Sequence, residues 1–272
     1  MDPDRYCLDE AAPSGSSLYY ATLFTGRRER TALVAIHALR QTLVGIVDSI
    51  ADSNVRAHKL NWWSNEIMEA RDGRARHPVT LSVTRHCGTP FWKRPEVLAM
   101  LSAVGAVSAA NGIVSVAARD RFCDDVGGGT AQLCSTVRQI ETGDAALKHV
   151  RVLGARLEAA ALAGVPMVQS GLQRIPESVS GTPSQTAHDD SQGPARRLAE
   201  ERIRVRNSLE DAIRDAPRGA GPAMLVYRTL ADIQLAALAK ALRKPVRAAP
   251  QVVSVAPIRK LWIAWRNARR DR

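Results

Sequence analysis

Residues 29–50 read Glu-Arg-Thr-Ala-Leu-Val-Ala-Ile-His-Ala-Leu-Arg-Gln-Thr-Leu-Val-Gly-Ile-Val-Asp-Ser-Ile, and this stretch decides the fold class. Leu33, Ile36, His37, Leu39, Leu43, Ile46, Val47 and Ile50 recur close to a 3.6-residue period, which lines one face of a helix. Asp52-Ser53-Asn54 breaks the pattern. Upstream, Pro13-Ser14-Gly15-Ser16-Ser17 is a turn with helix-capping candidates, and Leu18 to Phe24 starts an apolar segment. Downstream, residues 57–71 form a second amphipathic helix, with Leu60, Trp63, Ile67 and Ala70 on one face. Asp72-Gly73-Arg74 closes it, and His77-Pro78 opens the next segment.

The rest of the chain repeats this grammar. Residues 90–119 read as helix with a weak break at Asn111-Gly112, and 145–163 as strong helix up to Gly164-Val165-Pro166. Residues 195–215 and 221–243 are a charged and a more apolar helix. Gly127-Gly128-Gly129 interrupts the central region, where small residues let backbones approach or leave room for a ligand. No strand alternation or internal repeat stands out, so the chain reads as an all-α bundle, one domain over 1–272. The polar segment 178–194, rich in Ser, Gly, Pro and Asp, reads as a mobile loop inside that domain.

Composition agrees. Hydrophobic residues make up 45% of 272, enough for a sizeable core, while aromatics at 4% leave Ala, Val and Leu to fill it. Such a mix suits closely packed helices. The net charge of +11 allows phosphate-rich partners without choosing among them. No nucleic-acid-binding motif accompanies it, so nucleic acid is not expected as a partner. Cys7, Cys87, Cys123 and Cys134 have no metal-ligand or CxxC spacing and read as free thiols of a reducing cytoplasm. The polar start MDPDRYCLDE is not a signal peptide. No apolar run approaches the ~20 residues that span a bilayer.

Three stretches carry a specific resemblance. Ser14-Gly-Ser-Ser-Leu-Tyr-Tyr-Ala21 resembles the opening GSSFYY-type helix of the squalene/phytoene synthase family. Lys59-Leu-Asn-Trp-Trp-Ser-Asn-Glu-Ile67, followed by Gly73 and His77-Pro-Val-Thr80, is similar to that family's KLxWWRxEI…G…HPVT. Pro257-Ile-Arg-Lys-Leu-Trp-Ile-Ala-Trp-Arg266 resembles the C-terminus of its bacterial presqualene-diphosphate-synthase branch. Their order and spacing agree across nearly the whole chain. The resemblance implies an all-α isoprenoid-synthase bundle with a central cavity, in enzymes that join two prenyl diphosphates head to head. Such enzymes hold Mg²⁺ between two Asp-rich motifs, because ionising an allylic diphosphate needs a cation clamp on the leaving anion. Mg²⁺ takes oxygen ligands, and Asp at i and i+4 presents two carboxylates on one helix face.

This chain departs at those motifs. Against the pattern CREVDDIVDE stands Arg40-Gln-Thr-Leu-Val-Gly-Ile-Val-Asp-Ser49. Asp48 keeps the second Asp, while Val44 and Gly45 replace the first and its neighbour, and Gln41 replaces the Arg. Against LGxALQLTNILRDVGED stands a run from Leu153-Gly154 in which Val165 and Gln169 take the aspartate positions, with Pro166 disturbing the helix. The acidic GMEMDL patch is replaced by Ala103-Val-Gly-Ala-Val-Ser108. Ser17, Tyr20 and Asp48 are the pocket positions that match by resemblance.

The chain is therefore expected to have lost Mg²⁺-dependent prenyl transfer. It would act on an isoprenoid, such as a prenyl diphosphate, as a binding protein, or serve as a scaffold for an active isoprenoid synthase or another protein. The alternative is an active prenyltransferase with an altered site, using Mg²⁺ on Asp48 and Asp52, with Asp124 and Asp125; otherwise no cofactor is expected. For Asp52 helix termination, and for Asp124-Asp125 a solvated or capping pair, are the plainer expectations. Among the remaining candidates, His37 is expected as a satisfied core histidine, His77 as a turn organiser, and one of Trp62 and Trp63 as core. Arg27, Arg28 and Arg30 read as a solvated face. The terminal IRKLWIAWRNARR segment is expected to pack its Leu-Trp face on the bundle; peripheral contact with an anionic inner-membrane surface is the alternative placement for an otherwise cytoplasmic protein.

Overall fold

The computed structural model describes residues 1–137, 143–163, 193–243 and 255–271, less the side chains of residues 193–195 and 197. Among them every regular element is helical. The helices are α1 (Pro3–Ala11), α2 (Ser17–Ala21), α3 (Arg27–Ser49), α4 (Ser53–Arg71), α5 (Pro78–Cys87), α6 (Pro95–Ala109), α7 (Val116–Phe122), α8 (Gly129–Ser135), α9 (Asp144–Leu162), α10 (Gly193–Asp215), α11 (Pro222–Leu242) and α12 (Pro257–Arg270). A 3-10 turn, Thr89–Lys93, precedes α6, and a π-helical turn, Cys123–Gly128, joins α7 to α8.

The stretch read first is α3, and it lies at the centre. Leu33, Ile36, Leu39 and Leu43 are fully buried on it, with α1, α4, α5, α6 and α8 packed around. By length and composition alone α3 is apolar enough to cross a membrane, which the sequence reading assigns to no segment. Its packing explains the apolarity, because a helix surrounded by others is apolar on most of its faces. Arg56 of α4 locks its end. The buried guanidinium donates to the carbonyls of Ile50 and Ala51, both at 3.0 Å, and to Ser108 Oγ and Asn111 Oδ1.

The motif shared by α4 and α5 turns out to be a staple. Glu66 is buried, and its Oε1 accepts from Arg76 N at 2.7 Å, His77 N at 2.9 Å and Thr80 Oγ1 at 2.5 Å. Those bonds outweigh burial, which alone would raise the pKa, and hold the carboxyl below the usual glutamate range. His77 caps α5 through Nδ1, which accepts from Val79 N at 3.2 Å, and its ring meets buried Trp63 at 4.8 Å. Trp62, its neighbour, is exposed. Gly73 turns the chain at φ 76, a left-handed conformation that costs other residues a Cβ clash.

Four expectations change. The break at Asn111-Gly112 is complete: Asn111 adopts φ 52 and ends the turn after α6. Residues 193–194 belong to α10, and the remainder of the 178–194 loop lies outside the described residues. Arg30 does not only face solvent, since its guanidinium lies over the Tyr19 ring at 5.1 Å. On α12, Lys260, Ile263, Ala264 and Ala268 face the bundle, while Trp262 and Trp265 point outward. All four cysteines are free, as read, and burial pushes the Cys7 thiol up to about 11 and Cys87 to about 12.

Candidate functional site: a cavity between α3 and α9

A cavity of about 360 Å³ lies between α3 and α9, within the usual range of ~300–1,000 Å³ for small-molecule sites. From α3 it is lined by His37, Arg40, Gln41, Val44, Gly45, Asp48 and Ser49, and from α9 by Gly154, Leu157, Glu158 and Ala161. Tyr227 and Leu230 of α11, Gly127, and Glu10, Ala11, Ser16, Ser17 and Leu18 from the first two helices and the turn between them complete it. A second hollow of about 520 Å³ shares Glu10, Gln41, Gly45 and Ser49 and continues past Lys59, Trp62 and His77.

The glycines that the sequence singled out are needed here for close approach. A Cβ on Gly154 would overlap the Gly127 carbonyl oxygen, and one on Gly127 would meet Glu158 Cβ at 2.7 Å. This contact seats α9 directly on the π-helical turn and sets the width of the cavity.

Arg40 and Glu158 form an ion pair in the cavity wall. The Arg40 Nε donates to Glu158 Oε2 at 3.0 Å, and Nη2 donates to the same oxygen. Burial alone would lower the Arg40 pKa, but the Glu158 charge and hydrogen bond, with Tyr227 and Asp48, raise it. Arg40 in turn acts on His37. Burial first, and the Arg40 charge second, hold the His37 pKa down to about 3, so its ring is neutral. His37 Nε2 lies 3.3 Å from Tyr227 Oη, with the rings stacked at 5.6 Å. Burial pushes the Tyr227 hydroxyl well above its ordinary value. In this part of the wall Arg40 is thus paired with Glu158, and His37 with Tyr227.

Ser17 and Asp48 lie in the cavity lining and Tyr20 lies outside it, its ring meeting Tyr19 edge-on at 5.3 Å. The four aspartates considered for a metal do not converge. The Asp52 carboxylate caps α4, accepting from Asn54 N at 2.7 Å and Val55 N at 3.1 Å. Asp124 is held by Arg151 at 2.7 Å, and Asp125 lies 3.8 Å from the same guanidinium, outside the cavity lining. Burial and the Asp124 charge raise the Asp125 pKa. The physical reason is local: a cap and an ion pair each give a carboxylate a partner on its own surface. Val165 and Gln169 lie outside the described residues. Among the described residues no three His, Cys, Asp or Glu side chains gather to hold a metal ion.

Sequence reasoning missed the Arg40–Glu158 pair. In the register of the resemblance Arg40 stands on the Cys of CREVDDIVDE and Glu158 on the Gln of LGxALQLTN. Opposite charges placed in two facing motifs were the available signal.

An all-helical bundle with a cavity between two facing helices defines the class: the isoprenoid-synthase fold. The squalene/phytoene synthase family profile matches residues 11–161, and the chain belongs to that family. Its fold is similar to that of squalene synthase HpnC from Alicyclobacillus acidocaldarius, with 15% identity and a TM-score of 0.60, covering 90% of this chain and 95% of that one. It is also similar to a dehydrosqualene synthase solved with a ligand, at 15% identity and a TM-score of 0.62, covering 98% and 96%. No curated protein matches the chain by sequence.

Proposed function

We propose that this chain binds an isoprenoid in the α3–α9 cavity and does not carry out Mg²⁺-dependent prenyl transfer. The observation that carries this reading is the Arg40–Glu158 pair. Ionising a prenyl diphosphate needs cations free to receive the departing anion. Here the guanidinium in the wall is engaged by Glu158, and Asp48 and Glu10 add negative charge to the same wall. Such a lining disfavours a diphosphate and suits an uncharged isoprenoid, held by apolar contacts with Val44, Leu157 and Leu230.

Purified protein tests this with farnesol, and with farnesyl diphosphate plus Mg²⁺ or Mn²⁺ and a reductant. Farnesol should bind and quench tryptophan emission, Mg²⁺ should not tighten farnesyl diphosphate, and no pyrophosphate should appear above the Asp48→Ala protein. Pyrophosphate release above that blank would replace this reading with that of an enzyme with a rebuilt metal site.

A further inference from the structure

The outer face of α12 exposes a stripe of large apolar side chains. Ile258, Trp262 and Trp265, spaced i, i+4 and i+7, form one stripe and are 75%, 54% and 44% exposed. Arg259 and Arg270 stand beside the stripe and Arg269 continues it, all three exposed, and the helix Pro257–Arg270 carries no acidic residue. The inner face is already committed: Lys260 Nζ donates to the Gly15 carbonyl at 2.9 Å, and Arg266 and Asn267 bond Asp232 of α11. Two guanidiniums also cover part of the indoles, Arg266 over Trp262 and Arg269 over Trp265, each at 4.9 Å. Indole with arginine is a pairing that suits a headgroup layer, where the ring enters the acyl boundary and the cation meets phosphate.

We infer that α12 is an interfacial docking helix, and that its occupant is an anionic bilayer surface. Charge complementarity selects this occupant over a neutral membrane: three exposed arginines line a stripe of large apolar side chains, on a chain of net charge +11. Its place in the fold adds a consequence. Gly15, which Lys260 holds, directly precedes Ser16 and Ser17 of the cavity wall, so docking sets the α2 side of the cavity towards the bilayer.

Vesicle co-sedimentation of the full chain tests this without any isoprenoid, so the result stands apart from the cavity reading. Vesicles containing phosphatidylglycerol should take the protein down and shift tryptophan emission to the blue, and pure phosphatidylcholine vesicles should not. Trp262→Ala with Trp265→Ala should weaken binding by about tenfold or more, given the apolar area two indoles bury. Arg259→Gln with Arg269→Gln and Arg270→Gln should remove most of the salt-sensitive part. An unchanged melting temperature in each variant shows that the fold survives. Protein left in the supernatant with anionic vesicles, or a tryptophan variant that binds as well as the parent, overturns the inference. A dimer in sedimentation velocity that the tryptophan changes abolish, without vesicle binding, would assign the stripe to a second copy instead.

Discussion

Glu66 in α4 and Glu158 in α9 are each 5% exposed, yet they hold different kinds of partner. Glu66 receives two backbone N–H groups and a hydroxyl, all within fourteen residues of itself. Glu158 receives one guanidinium from 118 residues away. The first carboxylate fixes a local chain path, and the second fixes the distance between two helices across a cavity. The first lies where the chain matches its family's pattern and the second where it departs. A polar group that positions backbone is needed for any version of the fold to form. A polar group that lines a cavity can take a different partner without loss of the scaffold, provided that partner also sits in the wall.

The largest effect should come from breaking the long-range pair. Arg40→Leu leaves Glu158 buried without its cation and should cost about 3–5 kcal/mol, read from urea unfolding. Arg40→Leu combined with Glu158→Leu should recover most of that loss, because two buried charges replaced by apolar groups are often neutral or better. A single-variant cost under about 1 kcal/mol would mean that water screens the pair, and the contrast between the two glutamates would collapse.

The local staple should respond less and in a different currency. Glu66→Gln keeps the shape but removes the charge that three donors face, and should cost about 1–3 kcal/mol. Its pH dependence is the sharper test. The folded-state pKa lies below the ordinary glutamate value, so the stabilisation is present above that ordinary value. It is lost as pH falls from there through the lowered folded pKa. Glu66→Gln should flatten this acid limb of the stability curve, and an acid limb identical to that of the parent would show that Glu66 does not titrate in folding.

This contrast also marks what the sequence made legible. The periods of α3 and α4, the His77 turn and the burial of one tryptophan of the Trp62–Trp63 pair follow from spacings inside one or two helix turns, and all are found. Asp52 reads in the sequence as ending a helix, and in the structure it caps the start of the next one, α4. What escaped was set by tertiary geometry. Arg40 and Glu158 carry no local spacing that links them. The outward turn of Trp262 was hidden because α12 has two apolar stripes, Ile263-Ala264-Ala268 and Ile258-Trp262-Trp265, and sequence alone does not rank them. The smaller side chains win the inner face because they allow α12 to pack closely on α2 and α11.

The smallest effect separates the two aspartates four residues apart. Asp52→Ala removes two cap bonds and should cost about 0.5–2 kcal/mol, while leaving farnesol binding where it was, since Asp52 is outside the cavity lining. Asp48→Ala changes the cavity wall itself. With one carboxylate fewer beside Arg40, affinity for farnesyl diphosphate should rise relative to farnesol, a shift that titration of both ligands against both variants would resolve. If Asp52→Ala shifted ligand preference as far as Asp48→Ala does, the two carboxylates would be acting on one ligand together. The cap geometry would then not describe the bound state, and a relocated metal site on α3 and the start of α4 would become the better account of the cavity.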